Sequence, residues 1–246
     1  MSVPSGWLLF REYEEEIKNK NRFFPNSKFL RLFDEITKEP YNTHIVKQGT
    51  KLYRARRNKP EGEFGKVSDL GVNKTNPANN RASPIGIPYM YLADEPETAI
   101  AEIRANVNER ITVASFTAKE ALHFVSLDGN TAMCSGNEDS EFNPFDILEF
   151  ITYLGHYFAL PIQRPEIEYL PTQYFAEYCK QKGFSGVRYV SSARGLHLGK
   201  NENHFNYVLF DANNVAFKDA YGYTVKNISY EITKDAQIYL KDECEK

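Results

Sequence analysis

The sequence predicts an α+β protein built on a mixed β-sheet, and three observations carry that expectation. Short runs with strand-like alternation recur along the chain: LYRAR from Leu52, ITVASF from Ile111, LHFVSL from Leu122, GVRYV from Gly186 and NYVLF from Asn206. Segments with helical spacing stand among them, but not in regular strand–helix–strand order, so an all-parallel sheet is not expected. No GxGxxG opens a helix and no Walker motif is present, which argues against Rossmann and P-loop architectures.

The chain has 246 residues, enough to bury a good core. With 41% hydrophobic residues, 26% charged residues and a net charge of -3, it has a globular composition without the basic excess of a nucleic-acid binder. The N-terminal run MSVPSGWLLFREYEEE is too short in apolar residues for a signal peptide, and no run approaches membrane-spanning length. Cys134, Cys179 and Cys244 are far apart and odd in number, so they read as free thiols in a reducing compartment. A cytoplasmic protein without membrane or direct nucleic-acid contact is expected.

Residues 1–45 read as a helical N-terminal extension. Trp7, Phe10, Tyr13 and Ile17 repeat at helical spacing, as do Phe29, Phe33 and Ile36, with Ser27 as N-cap and Pro40 as stop. From Thr50 the texture changes. In KLYRAR, Leu52, Arg54 and Arg56 share a strand face; such a pair of arginines is commonly an exposed edge, and otherwise an anion site. The following segment, Asn58 to Pro88, is rich in Asn, Gly and Pro, and loops of this length are usually functional or disordered.

PYMYLA then reads as a strand with Tyr89 and Tyr91 on one face. DEPETAIAEIRANV reads as a helix with Asp94 as N-cap, Pro96 in the first turn and Glu97 at capping-box spacing. Ala99, Ile100, Ile103 and Val107 form its expected buried stripe, with Glu102 on the flank. A flank carboxylate is most often solvated, but it is also where a helix looks into a cleft. Beyond a polar loop, Pro144 opens a helix carrying Ile147, Ile151, Leu154 and Phe158. Pro171-Thr172 starts another, stopped by Gly183. The expected domain division is 1–45 for the extension, 46–215 for the main domain and 216–246 for an edge hairpin and tail.

Metal chemistry finds little support: the five histidines show no HExxH, and there is no CxxC or paired-carboxylate spacing. No GxSxG marks a serine hydrolase, and Cys179, mid-helix, reads as an inert buried thiol. Arg54, Arg81, Tyr91, Glu102 and Ser191 remain, and they make most sense together. Guanidinium forks suit the oxygens of a pyrophosphate, an aromatic face suits a flat base, and a carboxylate suits a ribose. Cleaving a ribosyl–nicotinamide bond builds positive charge on the sugar, which a fixed carboxylate stabilises. Nicotinamide leaves as a neutral base, so no catalytic histidine is required.

The segments LYRAR (52–56), NRASPIGIPYMYLADEPETAIAEIR (80–104), GFSGVRYVSSARG (183–195) and NYVLFD (206–211) resemble the RES domain family, named for an Arg, a Glu and a Ser. The resemblance implies an ADP-ribosyltransferase-like fold acting on NAD, with no cofactor beyond that substrate. It implies cleavage of the nicotinamide–ribose bond, with inorganic phosphate as acceptor in some members and toxins neutralised by an Xre-like antitoxin in several. Carried onto this chain, Arg54, Glu102 and Ser191 take the catalytic positions. Arg56, Arg81, Tyr91 and Ser192 take substrate-binding positions, Ser191 and Ser192 competing for the family serine. The loop reads NNRASPIG where the family has Gly-Arg-Trp-Asn, and Val190 stands where a proline usually precedes the serine. Two rival readings use the same residues: transfer of ADP-ribose to a protein or nucleotide, and a non-catalytic nucleotide- or partner-binding module.

Overall fold

A computed structural model describes residues 5–38, 40, 42–59, 62, 64–129, 140–160, 164–194 and 203–228. Eight strands form one mixed sheet: β1 (Thr43–Val46), β2 (Lys51–Arg57), β3 (Met90–Ala93), β4 (Arg110–Ala118), β5 (Leu122–Ser126), β6 (Gly186–Val190), β7 (Phe205–Leu209) and β8 (Val215–Thr224). Their spatial order is β1-β5-β6-β7-β3-β2-β4-β8. The β5–β6 pair is parallel and the other pairs are antiparallel, so the expected mixed α+β architecture is present.

One junction differs from the rest. β2 and β4 are in register over seven pairs from Lys51↔Thr117 to Arg57↔Ile111, whereas β2 and β3 share only Tyr53↔Ala93. The sheet therefore opens between β2 and β3, dividing a five-strand part from the β2-β4-β8 part. Backbone groups along that opening need partners other than a ladder.

The N-terminal helices are α1 (Ser5–Glu15), continued by a π-helical turn over Glu16–Lys20, and α2 (Ser27–Ile36). Phe10, Tyr13, Ile17, Phe29, Leu32, Phe33 and Ile36 lie in the same core as Phe150, Ile151, Leu154, Phe158, Phe175, Val187 and Val208. Tyr13 is fully buried and donates to the Pro171 carbonyl at 2.6 Å, with the Phe33 ring edge-on at 5.2 Å. Asn26, rather than Ser27, caps α2, its side chain accepting from Lys28 N, and the helix ends at Ile36, short of Pro40. An amide one residue earlier reaches the orphan N–H equally well, and Thr37 hydroxyl closes the other end on the Phe33 carbonyl at 2.7 Å.

A short helix α3 (Val67–Leu70) lies within the long loop, and α4 (Pro96–Glu102) follows β3. α5 (Pro144–Ala159), α6 (Pro165–Glu168) and α7 (Leu170–Gln181) complete the helices. Ile147, Ile151, Leu154 and Phe158 of α5 are all buried, as their spacing predicts. Two glycines permit close layers: a Cβ at Gly155 would strike the Leu127 carbonyl, and one at Gly186 the Val208 carbonyl. The described part of the expected edge hairpin is a single strand, β8, paired along β4 at the sheet edge. Cys134, Cys244, His197 and the end of the tail lie outside the described residues.

α4 departs from expectation at both ends. Its N-cap is Glu95 without a side-chain cap bond, not Asp94. The Asp94 carboxylate instead accepts from Phe205 N at 2.8 Å, tying the start of the helix to β7. The helix also ends at Glu102 instead of running to Val107, which is exposed. Arg57 donates to the Ile103 and Arg104 carbonyls at 2.6 and 2.8 Å, and Arg104 takes a left-handed φ of 50°. A cation on the last carbonyls followed by a left-handed residue is a helix stop, and it leaves Glu102 in the final turn.

Candidate functional site

Glu102 projects from the end of α4 toward the strand ends of β6 and β7. Ser191, directly after β6, continues the ladder through its N–H to the His204 carbonyl at 2.8 Å. Asn206 of β7 is paired with Tyr189 on one side and Ala93 on the other, so its side chain shares their face. Ser191 Oγ and Asn206 Nδ2 each donate to Glu102 Oε1 at 2.6 Å. Both donors are buried, 1% and 5% exposed, whereas Glu102 is an exposed residue. One carboxylate oxygen is thus fixed by two rigid donors, and Oε2 forms no hydrogen bond among the described residues. Such a carboxylate can face a developing positive charge without having to reorient.

Tyr189, the register partner of Asn206, is buried. Its hydroxyl is held in the neutral form by burial, reinforced by the negative field of Glu102 and by Tyr91, with Arg81 opposing. Glu102, Tyr91 and Arg81 therefore lie within electrostatic reach of one tyrosine. Tyr91 joins two further parts of the site. Its hydroxyl accepts from Ala82 N at 3.1 Å and Ser83 N at 3.2 Å, with Ser83 Oγ at 3.1 Å. Its carbonyl accepts from Arg54 Nη1 at 3.0 Å, a side chain supplying the bond that the opened β2–β3 junction does not.

Among the described residues no carboxylate compensates the charge of Arg54 or Arg56. Arg56 donates to the Gly71 carbonyl at 2.8 Å. Both Nε atoms are buried without a hydrogen-bond partner. Burial, then the neighbouring Arg56 charge, pushes Arg54 down to about 10, with Tyr91 opposing; burial also lowers Arg56. Both remain cationic at neutral pH. Two desolvated guanidiniums with spare donors favour an anion of phosphate geometry.

Arg81 and Ser192 also make contacts within the fold. Arg81 Nη1 donates to the Leu160 carbonyl at the end of α5, and its guanidinium lies 6.0 Å from the Tyr169 ring centroid. Ser192 Oγ donates to the Ala159 carbonyl at 2.7 Å. Both satisfy carbonyls at one helix C-terminus, where a cation is also favoured by the helix dipole. The adjacent serines thus diverge: Ser191 meets Glu102 and Ser192 anchors α5. The Arg81 loop is further held by Gln173, whose amide donates to Asn79 Oδ1 at 2.7 Å and the Asn80 carbonyl at 2.8 Å. Glu95 Oε2 accepts from Arg194 Nη1 at 2.7 Å, with His204 Nδ1 3.3 Å away, which ties the segment after Ser191 to the start of α4.

Sequence reasoning missed Asn206 and Tyr189. Their alternation on strands was visible, but the register placing them beside Ser191 and within reach of Glu102 was not. Cys179 is fully buried and its thiol is pushed up by that burial. Among the described residues no group of three His, Cys, Asp or Glu side chains could hold a metal ion, and no helix is long and apolar enough to cross a membrane.

No curated protein matches the chain. A solved structure described as "Crystal structure of the M.tuberculosis MbcT-MbcA toxin-antitoxin complex" is similar over 79% of this chain and 92% of that one, at 11% identity and a TM-score of 0.43. The family model described as RES domain matches residues 51–231, the stretch that runs from the Arg54 strand through Glu102, Ser191 and Asn206 to beyond β8. The chain belongs to the RES domain family.

Proposed function

We propose that this protein cleaves the nicotinamide–ribose bond of NAD, with inorganic phosphate as acceptor. The observation that carries the reading is the Glu102 carboxylate, pinned through Oε1 by Ser191 and Asn206 with Oε2 left open. As the C–N bond breaks, its electron pair leaves with neutral nicotinamide, and the ribose carbon becomes cationic. Glu102 stabilises that charge from a fixed position. A phosphate oxygen then forms the new bond to the same carbon, giving ADP-ribose 1″-phosphate. Arg54 and Arg56 supply the guanidiniums for the pyrophosphate or for the attacking phosphate, and Tyr91 orders the loop beside them. Ser191 acts here by orienting Glu102. Arg81 and Ser192 act by holding the end of α5 against the site.

In this reading the protein acts in the cytoplasm as a toxin held in check by an Xre-like antitoxin, as the family resemblance implies. The test is incubation with NAD, with and without phosphate, followed by chromatography of the products. Wild-type protein releases nicotinamide and ADP-ribose 1″-phosphate, and Glu102→Gln, nearly isosteric, lowers release by on the order of 10²-fold or more while melting normally. Unchanged release by Glu102→Gln would sink the assignment. ADP-ribose recovered on water or on protein instead would replace phosphate as the acceptor.

A further inference from the structure

Tyr189 stands in the site without a task in the proposed reaction. On β6 it lies directly opposite Asn206, and Ser191 follows two residues later on the same face. Those two neighbours are the donors that hold Glu102 Oε1 at 2.6 Å. Tyr91 of β3 shares this sheet face, because Tyr91 pairs with Val208 and Ala93 with Asn206. Tyr189 is thus set among the residues that build the site, and it is only 4% exposed. Its ring packs on Phe158 of α5, with centroids 5.3 Å apart and planes tilted by 39°.

The Tyr189 hydroxyl is the unfinished part of this group. The Tyr91 hydroxyl is occupied, accepting from Ala82 N and Ser83 N. Among the described residues the sealed side-chain oxygens without a partner are Asn42 Oδ1, Asp94 Oδ1 and Thr98 Oγ1. The Tyr189 hydroxyl has no hydrogen-bond partner among those residues either, yet it is not sealed, so it keeps a surface for a ligand. Burial first, and then the Glu102 charge, keep it protonated, so at neutral pH it is a donor. Buried polar groups are normally hydrogen-bonded, and one left open calls for a partner from outside the fold.

The neighbouring carboxylate narrows what that partner is. Glu102 Oε2 is open and can only accept, whereas the Tyr189 O–H can donate. An anion would be repelled by Glu102, and an ammonium has no lone pair for the phenol. An alcohol fits both groups, donating to Oε2 and accepting from Tyr189 with one oxygen.

We propose that Tyr189 is a specificity-determining residue whose O–H donates to a ribose hydroxyl of the substrate, the one on the carbon next to the bond that breaks. The same hydroxyl donates to Glu102 Oε2. This inference rests on the NAD reading, which supplies the ribose. A site that hydrogen-bonds a substrate hydroxyl rejects the analogue lacking it, because its own polar groups are then left unpaired.

The test compares the wild-type protein with Tyr189→Phe, which keeps the ring and removes only the hydroxyl. Nicotinamide release is measured from NAD and from the NAD analogue that carries hydrogen in place of that ribose hydroxyl. The two proteins are compared within each substrate, so the analogue's own bond strength cancels. On NAD the variant should lose about three- to tenfold in kcat/KM, the span of one neutral hydrogen bond. On the deoxy analogue the two proteins should be equal. Because the hydroxyl has no partner among the described residues, the melting temperature should stay at or above the wild-type value. An unchanged kcat/KM on NAD, an equal loss on both substrates, or a lowered melting temperature would each overturn the role of Tyr189 and leave nicotinamide release standing. Wild-type protein that releases no nicotinamide from either substrate would overturn the NAD reading, and this inference with it.

Discussion

Removing either donor to Glu102 Oε1 is expected to lower turnover without weakening substrate binding. Ser191 Oγ and Asn206 Nδ2 both lie 2.6 Å from that oxygen, short enough for charge-assisted bonds. A hydrogen bond to an ionised group contributes about 1.5–3 kcal/mol, and the exposure of Glu102 places each bond at the low end of that range. About 1.4 kcal/mol is tenfold in rate, so Ser191→Ala and Asn206→Ala should each lower kcat by about tenfold. KM should stay near wild type, because the bonds orient the carboxylate for the transition state rather than hold NAD. The double variant should fall short of the roughly hundredfold product, since a carboxylate freed by one loss has less orientation left to lose. The assay is steady-state nicotinamide release at saturating phosphate, with thermal melts to confirm folding. Two single variants at wild-type kcat, or losses confined to KM, would refute the claim that Oε1 is held for chemistry.

Three further outcomes follow from the packing. Tyr91→Phe strips the acceptor from Ala82 N and Ser83 N, so the Arg81 loop should loosen; KM for NAD should rise several-fold, and a KM equal to wild type would count against the loop's part in binding. Gly186→Ala would drive a Cβ into the Val208 carbonyl and the Phe124 ring at the centre of the sheet. A loss of about 2 kcal/mol or more in urea unfolding is expected, and a near-neutral result would mean the strands can separate there. His44 is pushed down to about 4 by burial first and by the Arg188 charge second. The unfolded chain then binds a proton near pH 6.5 that the folded chain refuses until about pH 4, so stability falls as pH drops through that window. The full linkage would be about 3 kcal/mol, discounted to about 1 for a ring only partly shielded from solvent. His44→Phe should flatten that part of the stability–pH curve, and an unchanged slope would assign it to other groups.

The local elements were largely legible. Ile147, Ile151, Leu154 and Phe158 defined α5 by spacing alone, because a helix buries one stripe and these residues are its stripe. Most strands were found by alternation for the same kind of reason, but β1 was not: residues 43–45 read as part of the helical extension, and pairing with β5 makes them a strand. The ends of α4 were misread because two distant partners decided them: Phe205 N drew Asp94 away from capping, and Arg57 stopped the helix at Glu102. No pattern within residues 94–107 contains either partner.

The candidate site divides in the same way. Arg54, Glu102 and Ser191 could be named because their residue types and order resemble a family motif. Their present partners could not, since Asn206 reaches Glu102, and Tyr189 comes under its field, only through the β6–β7 register. Arg81 and Ser192, expected as ligand contacts, each also hold a carbonyl at the end of α5, a pairing that their motif does not reveal. By itself the sequence determined most of the helices and strands, that they form a mixed α+β protein, and which side chains could do chemistry, because period and residue type are local properties. Only the tertiary structure decided which oxygen of Glu102 is held, which guanidiniums lack a carboxylate among the described residues, and where the sheet opens, because those depend on strand register and packing between residues distant in the chain.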